Sequence, residues 1–269
     1  MMKKITKSTV IYILFTFIVL WFFLYIRFPG KVVQGYLVDM VAERYPEVTL
    51  SLASASLGFP PGLKMENVVL SFKDNPASGT ILEILKVRPR LSNYVVGRSS
   101  FSITASLYDG AAQGRVNFPN VLPEKIPTSA ELKFANLNLA KFAYLKERLG
   151  RQITGKLSGT YAYHGDSQLD FDIQNGTYQL LDKLLGLDRI EFSSAEGQLV
   201  LKGGLLKINK LKLQGDKINC FLKGDVVLNP DFKNSEINLT GTIELAAMNN
   251  KKISLSITGP IGNARTKYL

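Results

Sequence analysis

The sequence predicts a mainly β protein: one N-terminal transmembrane helix, then a curved, mostly antiparallel sheet with two or three short helices. Three observations carry this. The run from Val10 to Ile26 contains no charged residue. From residue 47 onward, apolar residues recur at every second position, the spacing of a half-buried strand. Turn signals recur roughly every 8–12 residues, the rhythm of antiparallel sheet. Pattern alone leaves open whether the sheet is an open groove or a flattened barrel.

The 269 residues, 46% hydrophobic and 20% charged, suffice for a sizeable core plus a membrane segment and argue against disorder. The net charge is +11, and Lys3, Lys4, Lys7 and Arg27 are uncompensated at the N-terminus. The remaining 29 basic residues outnumber the 22 acidic ones by seven and are scattered along strands. With no basic stripe interleaved with aromatics, nucleic acid is not an expected partner.

Residues 1–9 read as a cytoplasmic tail and 10–28 as a signal anchor. As a helix, Val10 to Ile26 spans about 26 Å, near the short limit for crossing a bilayer. It closes on Trp21, Phe22, Phe23 and Tyr25, the expected membrane-interface anchors. Lysines ahead of the run place the N-terminus in the cytoplasm. The bulky "WFFLYIRFPGK" lacks the small residues of a cleavage site, which favours an uncleaved anchor over a signal peptide.

Residues 29–46 form the next unit, a juxtamembrane amphipathic helix. Val33, Tyr36, Leu37, Met40 and Val41 share one helical face, and Pro46 stops it. It is expected to dock on the following sheet, with the lipid interface as the alternative.

Residues 47–118 form a first β-rich half. "EVTLSL", "LKVRPRL" and "FSITASLYDG" alternate strictly, and Asp109-Gly110 marks a hairpin. Pro89 cannot donate to a ladder, which suggests an edge strand. Residues 119–128 carry Pro119, Pro123 and Pro127 and read as the connection to a second half, 129–269. That half adds a helix from Asn138 to Gly150, a short helical "LLDKLLGLD", and further strands.

The last strands give the clearest one-sided pattern. Ile218, Cys220, Leu222, Val226 and Leu228 alternate in "KINCFLKGDVVL", Ile237 and Leu239 in "SEINLTGTIEL", and Ile253, Leu255 and Ile257 in "KKISLSITGP". These ten are the candidate apolar face, either core or groove. A second layer of the same chain, another protein or a lipid could cover it.

Chemistry-bearing residues are sparse. Cys220 and His164 are the only cysteine and histidine, which excludes an intrachain disulfide and an ordinary zinc site. GxSxG, Walker A and GxGxxG motifs are absent. Asp170 and Asp172 share a strand face and read as a solvated surface; Gly155 and Gly159 read as bulge or bend positions. No enzyme, metal or cofactor is expected.

Several stretches resemble the AsmA-like superfamily: "ASLGFPPGLKMENVVLSF", "LKVRPRLSNYVVGRSSFSITASLYDGAAQGRV", "AELKFANLNLAKFAYLKERLGRQITGKLSGTYAYHGD", "GGLLKINKLKLQGDKINCFLKGDVVLNPDFKNSEINLTGTIEL" and "LSITGPIGNARTKYL". Within it, the single anchor and the early "FP" and "FPPGL" are most similar to the type II secretion system protein N (GspN) family. The resemblance implies a bacterial inner-membrane protein with a periplasmic β-rich domain. Its implied role is a non-enzymatic accessory of protein secretion, in contact with other secretion-system subunits. The superfamily's lipid-handling members imply the alternative, a sheet that binds phospholipid acyl chains.

Overall fold

The computed structural model describes residues 7–58, 60–73, 75–94, 97–121, 127–143, 152–184, 187–230, 234–246 and 251–268; side chains at 7, 9, 21, 24, 75–78, 181–184, 187 and 251 lie outside the description. Two helices lead the chain: α1 (Lys7–Ile26) and α2 (Gly30–Arg44). The next elements are β1 (Val48–Ser51), β2 (Ser54–Gly58), β3 (Gly62–Phe72), β4 (Asn75–Pro89), the short α3 (Leu91–Tyr94), β5 (Ser99–Leu107), β6 (Gly110–Phe118) and β7 (Ser129–Asn138). A 3-10 turn (Leu139–Lys141) precedes β8 (Ile153–Tyr163), β9 (Ser167–Leu184), β10 (Leu187–Lys202), β11 (Leu205–Gln214) and β12 (Ile218–Val227). The last strands are β13 (Glu236–Leu245), β14 (Lys251–Pro260) and β15 (Arg265–Tyr268).

All fifteen strands belong to one antiparallel sheet. From β3 to β15 each strand pairs with its successor in the chain, while β1 and β2 both pair with β3. Short hairpin connections suit this order, because antiparallel neighbours need no crossover.

The register makes the alternation collective. Residues directly opposite each other in a ladder lie on the same face. One such row runs Ala55, Met65, Leu85, Ala105, Ala112, Phe134, Gly159, Phe171, Gly197, Leu211, Leu222, Gly241, Leu255 and Tyr268. It crosses every strand from β2 to β15, and only its last member carries a polar group. The adjacent row on the other face begins Ser56, Lys64, Lys86, Thr104, Gln113, Lys133, Thr160, Asp170, Gln198 and Lys210, all polar.

Glycines in the apolar row are spaces filled by neighbours. A Cβ on Gly159 would meet the Asp170 carbonyl oxygen and lie 2.8 Å from the Phe134 ring; one on Gly197 would enter the Phe171 ring. Each ring thus covers a cross-strand glycine.

The N-terminal end of the apolar face is covered. Val33, Leu37, Val38 and Val41 of α2 pack on a core that includes Leu50, Leu52, Ala55, Met65 and Val68. Gly30 permits this approach, since a Cβ there would collide with the Ala55 carbonyl oxygen. The packed face differs from the one expected. Tyr36 is 67% exposed and Met40 sits at the rim, while Val38 turns inward. Docking on two short strands selects a stripe rotated from the one that hydrophobic spacing alone favours.

Other expectations are revised. Pro89 is not on an edge strand, because β4 pairs with both β3 and β5. Its missing N–H is harmless because the β3 ladder ends at Val87. The described residues of "LLDKLLGLD" are not helical: β9 continues to Leu184, and Leu187 pairs back onto it, while residues 185–186 lie outside the description. Cross-strand hydrogen bonding overrides its helix-like leucine spacing. Asn138 does cap a helical segment, accepting from the Ala140 N–H at 3.2 Å, but only the 3-10 turn; residues 144–150 of the expected helix lie outside the described residues. The ladder passes from β6 to β7, so the sheet continues past the proline-bearing connection, whose residues 122–126 lie outside the description.

α1 approaches the sheet only at its C-terminal end, where Tyr25 and Ile26 line a cavity with β2, β3 and β4. Thirteen of its large apolar side chains are 54–71% exposed. Among the described residues no helix is long and apolar enough to cross a membrane; four of α1's twenty side chains fall outside that description. The anchor expected from sequence is therefore not established by the fold.

Replacing Gly159 with Ala should destabilise the sheet by ~1–3 kcal/mol through overpacking, measured by urea unfolding in detergent. Leu255→Ala, at a position 2% exposed, should cost ~2–5 kcal/mol. The same change at Leu205, 42% exposed, should cost far less.

Candidate functional site

The ten candidate residues on β12 to β14 and just beyond divide by burial. Ile218, Val226, Leu239 and Leu255 are buried, at 4%, 6%, 9% and 2% exposure. Cys220, Leu222, Leu228, Ile237, Ile253 and Ile257 are half-buried. Register brings nine of them to one face: Val226 opposes Ile237, and Leu239 opposes Ile257. Cys220 lies between Leu213 and Ile243, and Ile243 in turn opposes Ile253. Leu228, one residue past β12, instead donates its backbone N–H to the Gly204 carbonyl at 2.8 Å. Gly224 and Gly241 interrupt the face without adding polarity.

Close packing onto the sheet comes, among the described residues, from α2 on β1 and β2, the 3-10 turn on β8, and α3 on β5. None of these covers the face formed by β9 to β14. The accessible surface, 18,264 Å², reflects this. A compact monomer of 29.8 kDa exposes about 11,600 Å². A single-layer sheet exposes more surface than a compact fold of that mass.

Sequence reading missed how far the face extends. β8 to β11 add Leu157, Tyr161, Leu169, Phe171, Ile173, Leu199, Leu206, Ile208, Leu211 and Leu213 to it. The signal was present as alternation in each strand, but only register shows that the separate stripes join. Shifts at Ile208/Leu211 and Phe134/Leu137 keep it continuous, because an extra residue there restores the inward parity.

Ion pairs lie on the polar face, through Lys64–Glu66 and Lys210–Glu196, and at the β5–β6 turn, through Lys141–Asp109. Lys64 Nζ lies 2.5 Å from Glu66, Lys141 Nζ lies 2.5 Å from Asp109, and Lys210 pairs with Glu196. The lysine hydrogen bond in each case holds the carboxyl below the usual carboxylate range. A lowered folded value contributes stability above the ordinary carboxylate range, lost as pH falls through the folded value. Such exposed pairs contribute little each.

Asp170 and Asp172 do share the polar face. They accept from Gln168 at 2.8 Å and Gln174 at 2.9 Å respectively. Among the described residues no group of three potential metal ligands exists. His164 lies in the turn between β8 and β9, 61% exposed and 3.9 Å from Glu131. Cys220 is three strands beyond β9, roughly 14 Å at ordinary strand spacing, so the two cannot pair. Burial pushes the Cys220 thiol up from its ordinary value. Of the expected interface anchors, Phe22, Phe23 and Tyr25 are exposed at 60%, 60% and 54%; the Trp21 side chain lies outside the described residues.

Comparison with protein families, curated proteins and solved structures finds no match to this chain.

Cys220 should react slowly with an aromatic disulfide reagent at pH 8 in the folded protein and rapidly in denaturant. Its raised folded value makes the thiol form the favoured one. The associated stability is present below the unfolded thiol value and lost as pH rises through the folded one. Equal labelling rates in both states would contradict its placement on the apolar face.

Proposed function

We propose that the protein is a non-enzymatic module of a bacterial cell envelope whose sheet receives phospholipid acyl chains. In this reading α1 lies in the inner membrane, with the N-terminus in the cytoplasm and the sheet in the periplasm. The observation that carries the proposal is the apolar face of β8 to β14, continuous in register and uncovered by a second layer among the described residues. An apolar patch of that extent marks an interaction surface.

A flat single layer would expose both faces equally. Here Ile218, Val226, Leu239 and Leu255 are buried without a covering layer, which supports a sheet curled inward on its apolar side. Register shifts in six of the ladders favour such curling, since bulges bend and twist strands. As for α1, its twenty residues span about 30 Å, the thickness of a hydrocarbon core. Thirteen of its large apolar side chains are exposed, and a helix apolar all round belongs in lipid or in a protein core.

A second reading, an accessory or assembly subunit of type II secretion, follows from the family resemblance. The edge strand β15 favours it. All four residues of β15 are exposed, and it pairs with β14 alone. Such an edge can accept a strand from a partner.

Mild detergent extraction of the full chain followed by lipid mass spectrometry should recover bound diacyl phospholipid. Leu222→Lys together with Ile253→Lys, at half-buried positions of the groove, should reduce the recovered lipid by roughly tenfold with strand circular dichroism retained. Recovery of no lipid from the folded wild-type chain would remove the acyl-chain reading. Deletion of the gene distinguishes the second reading: retention of secreted enzymes in the periplasm supports it, and normal secretion removes it.

A further inference from the structure

Where α1 meets the sheet, the chain encloses a cavity of about 620 Å³, within the range of small-molecule sites. Tyr25 and Phe28 line one side, and the β2–β3 hairpin with Lys64 lines another. Lys86 and Arg88 of β4 complete it.

Three cations therefore face one space. Lys64 and Lys86 are directly opposite in the ladder, an arrangement of like charges that costs stability. Glu66 answers Lys64 at 2.5 Å. Among the described residues, Lys86 and Arg88 have no ion pair. The Arg88 stem lies over Gly62, where a Cβ would sit 2.5 Å from its Cγ. The glycine thus leaves room for the guanidinium stem at the cavity. Two half-buried positive charges remain without an anion.

The cavity also touches the apolar face. Leu57 and Leu63 line it, on the face opposite Lys86 and Arg88. The cavity thus reaches both faces at the β2–β3 end of the sheet, and these leucines open the apolar row that continues through Val87 and Ile103. It lies at the C-terminal end of α1, where the apolar run gives way to Arg27. Two free cations at one side and an apolar path at the other fit an amphiphile with an acidic head.

We propose that this cavity binds the phosphate of an anionic phospholipid through Lys86 and Arg88, with the acyl chains leaving along the apolar face. The inference rests on the acyl-chain reading and on α1 lying in the membrane, which puts the cavity at headgroup depth. A guanidinium can meet two phosphate oxygens at once, and Tyr25 and Phe28 suit the interfacial layer.

The full chain in nonionic detergent, titrated with dioleoyl phosphatidylglycerol or dioleoyl phosphatidylcholine and read by native mass spectrometry, tests this. Wild type should prefer the anionic lipid by on the order of tenfold. Lys86→Gln with Arg88→Gln should abolish the preference while still binding both lipids. Lys207→Gln with Lys223→Gln, an equal charge change on exposed residues of β11 and β12, should leave it intact. Loss of preference in that control pair would reduce the effect to net charge and overturn the site. Equal binding of the two lipids by wild type would overturn the headgroup site alone, whereas binding of neither would overturn the acyl-chain reading beneath it. Millimolar inorganic phosphate should not displace the anionic lipid; full displacement would assign the site to free phosphate instead.

Discussion

The structure depends on keeping one parity across an antiparallel ladder of fourteen successive strands. A slip of one residue in any pair would move that strand's side chains to the opposite face. The row from Ala55 to Leu255 shows that parity is held throughout. Hydrophobic burial enforces it: a slipped strand would place Lys or Asp beside Leu and Phe, at a cost of several kcal/mol per charge. The bulges belong to the same constraint, since they absorb odd residues without changing face.

Parity alone yields two chemically distinct surfaces from one layer. The polar surface needs only water and the exposed pairs between lysines and acids. The apolar surface needs a cover, and the chain supplies one at its N-terminal end, where α2 lies on β1 and β2. Beyond that helix the face meets its requirement by burial within the sheet and, in the proposed function, by lipid. Stability and binding thus draw on the same side chains. Apolar residues such as Leu222 favour the register, and the same property makes the face receptive.

Much of this was legible in the chain because strand alternation is a local property. Nine of the ten residues from Ile218 to Ile257 named from spacing fall on one face. The failures were also physical. The leucines of "LLDKLLGLD" satisfy a helical spacing and a strand pairing alike, and the hairpin decided between them. Tyr36 and Met40 lie on a plausible helical stripe, yet contact with β1 and β2 chose Val38. Pro89 signalled a missing donor correctly, but a ladder can end within a strand.

By itself the sequence determined the β class, the two-faced character of each strand and the apolar N-terminal helix, because each rests on residues near one another in the chain. The tertiary structure decided that the strands form one sheet and that their apolar stripes join. It also set Lys64 against Lys86, with Arg88 over Gly62, around a single cavity. Those outcomes depend on register between strands, and register is set by burial and bulges summed over the whole ladder.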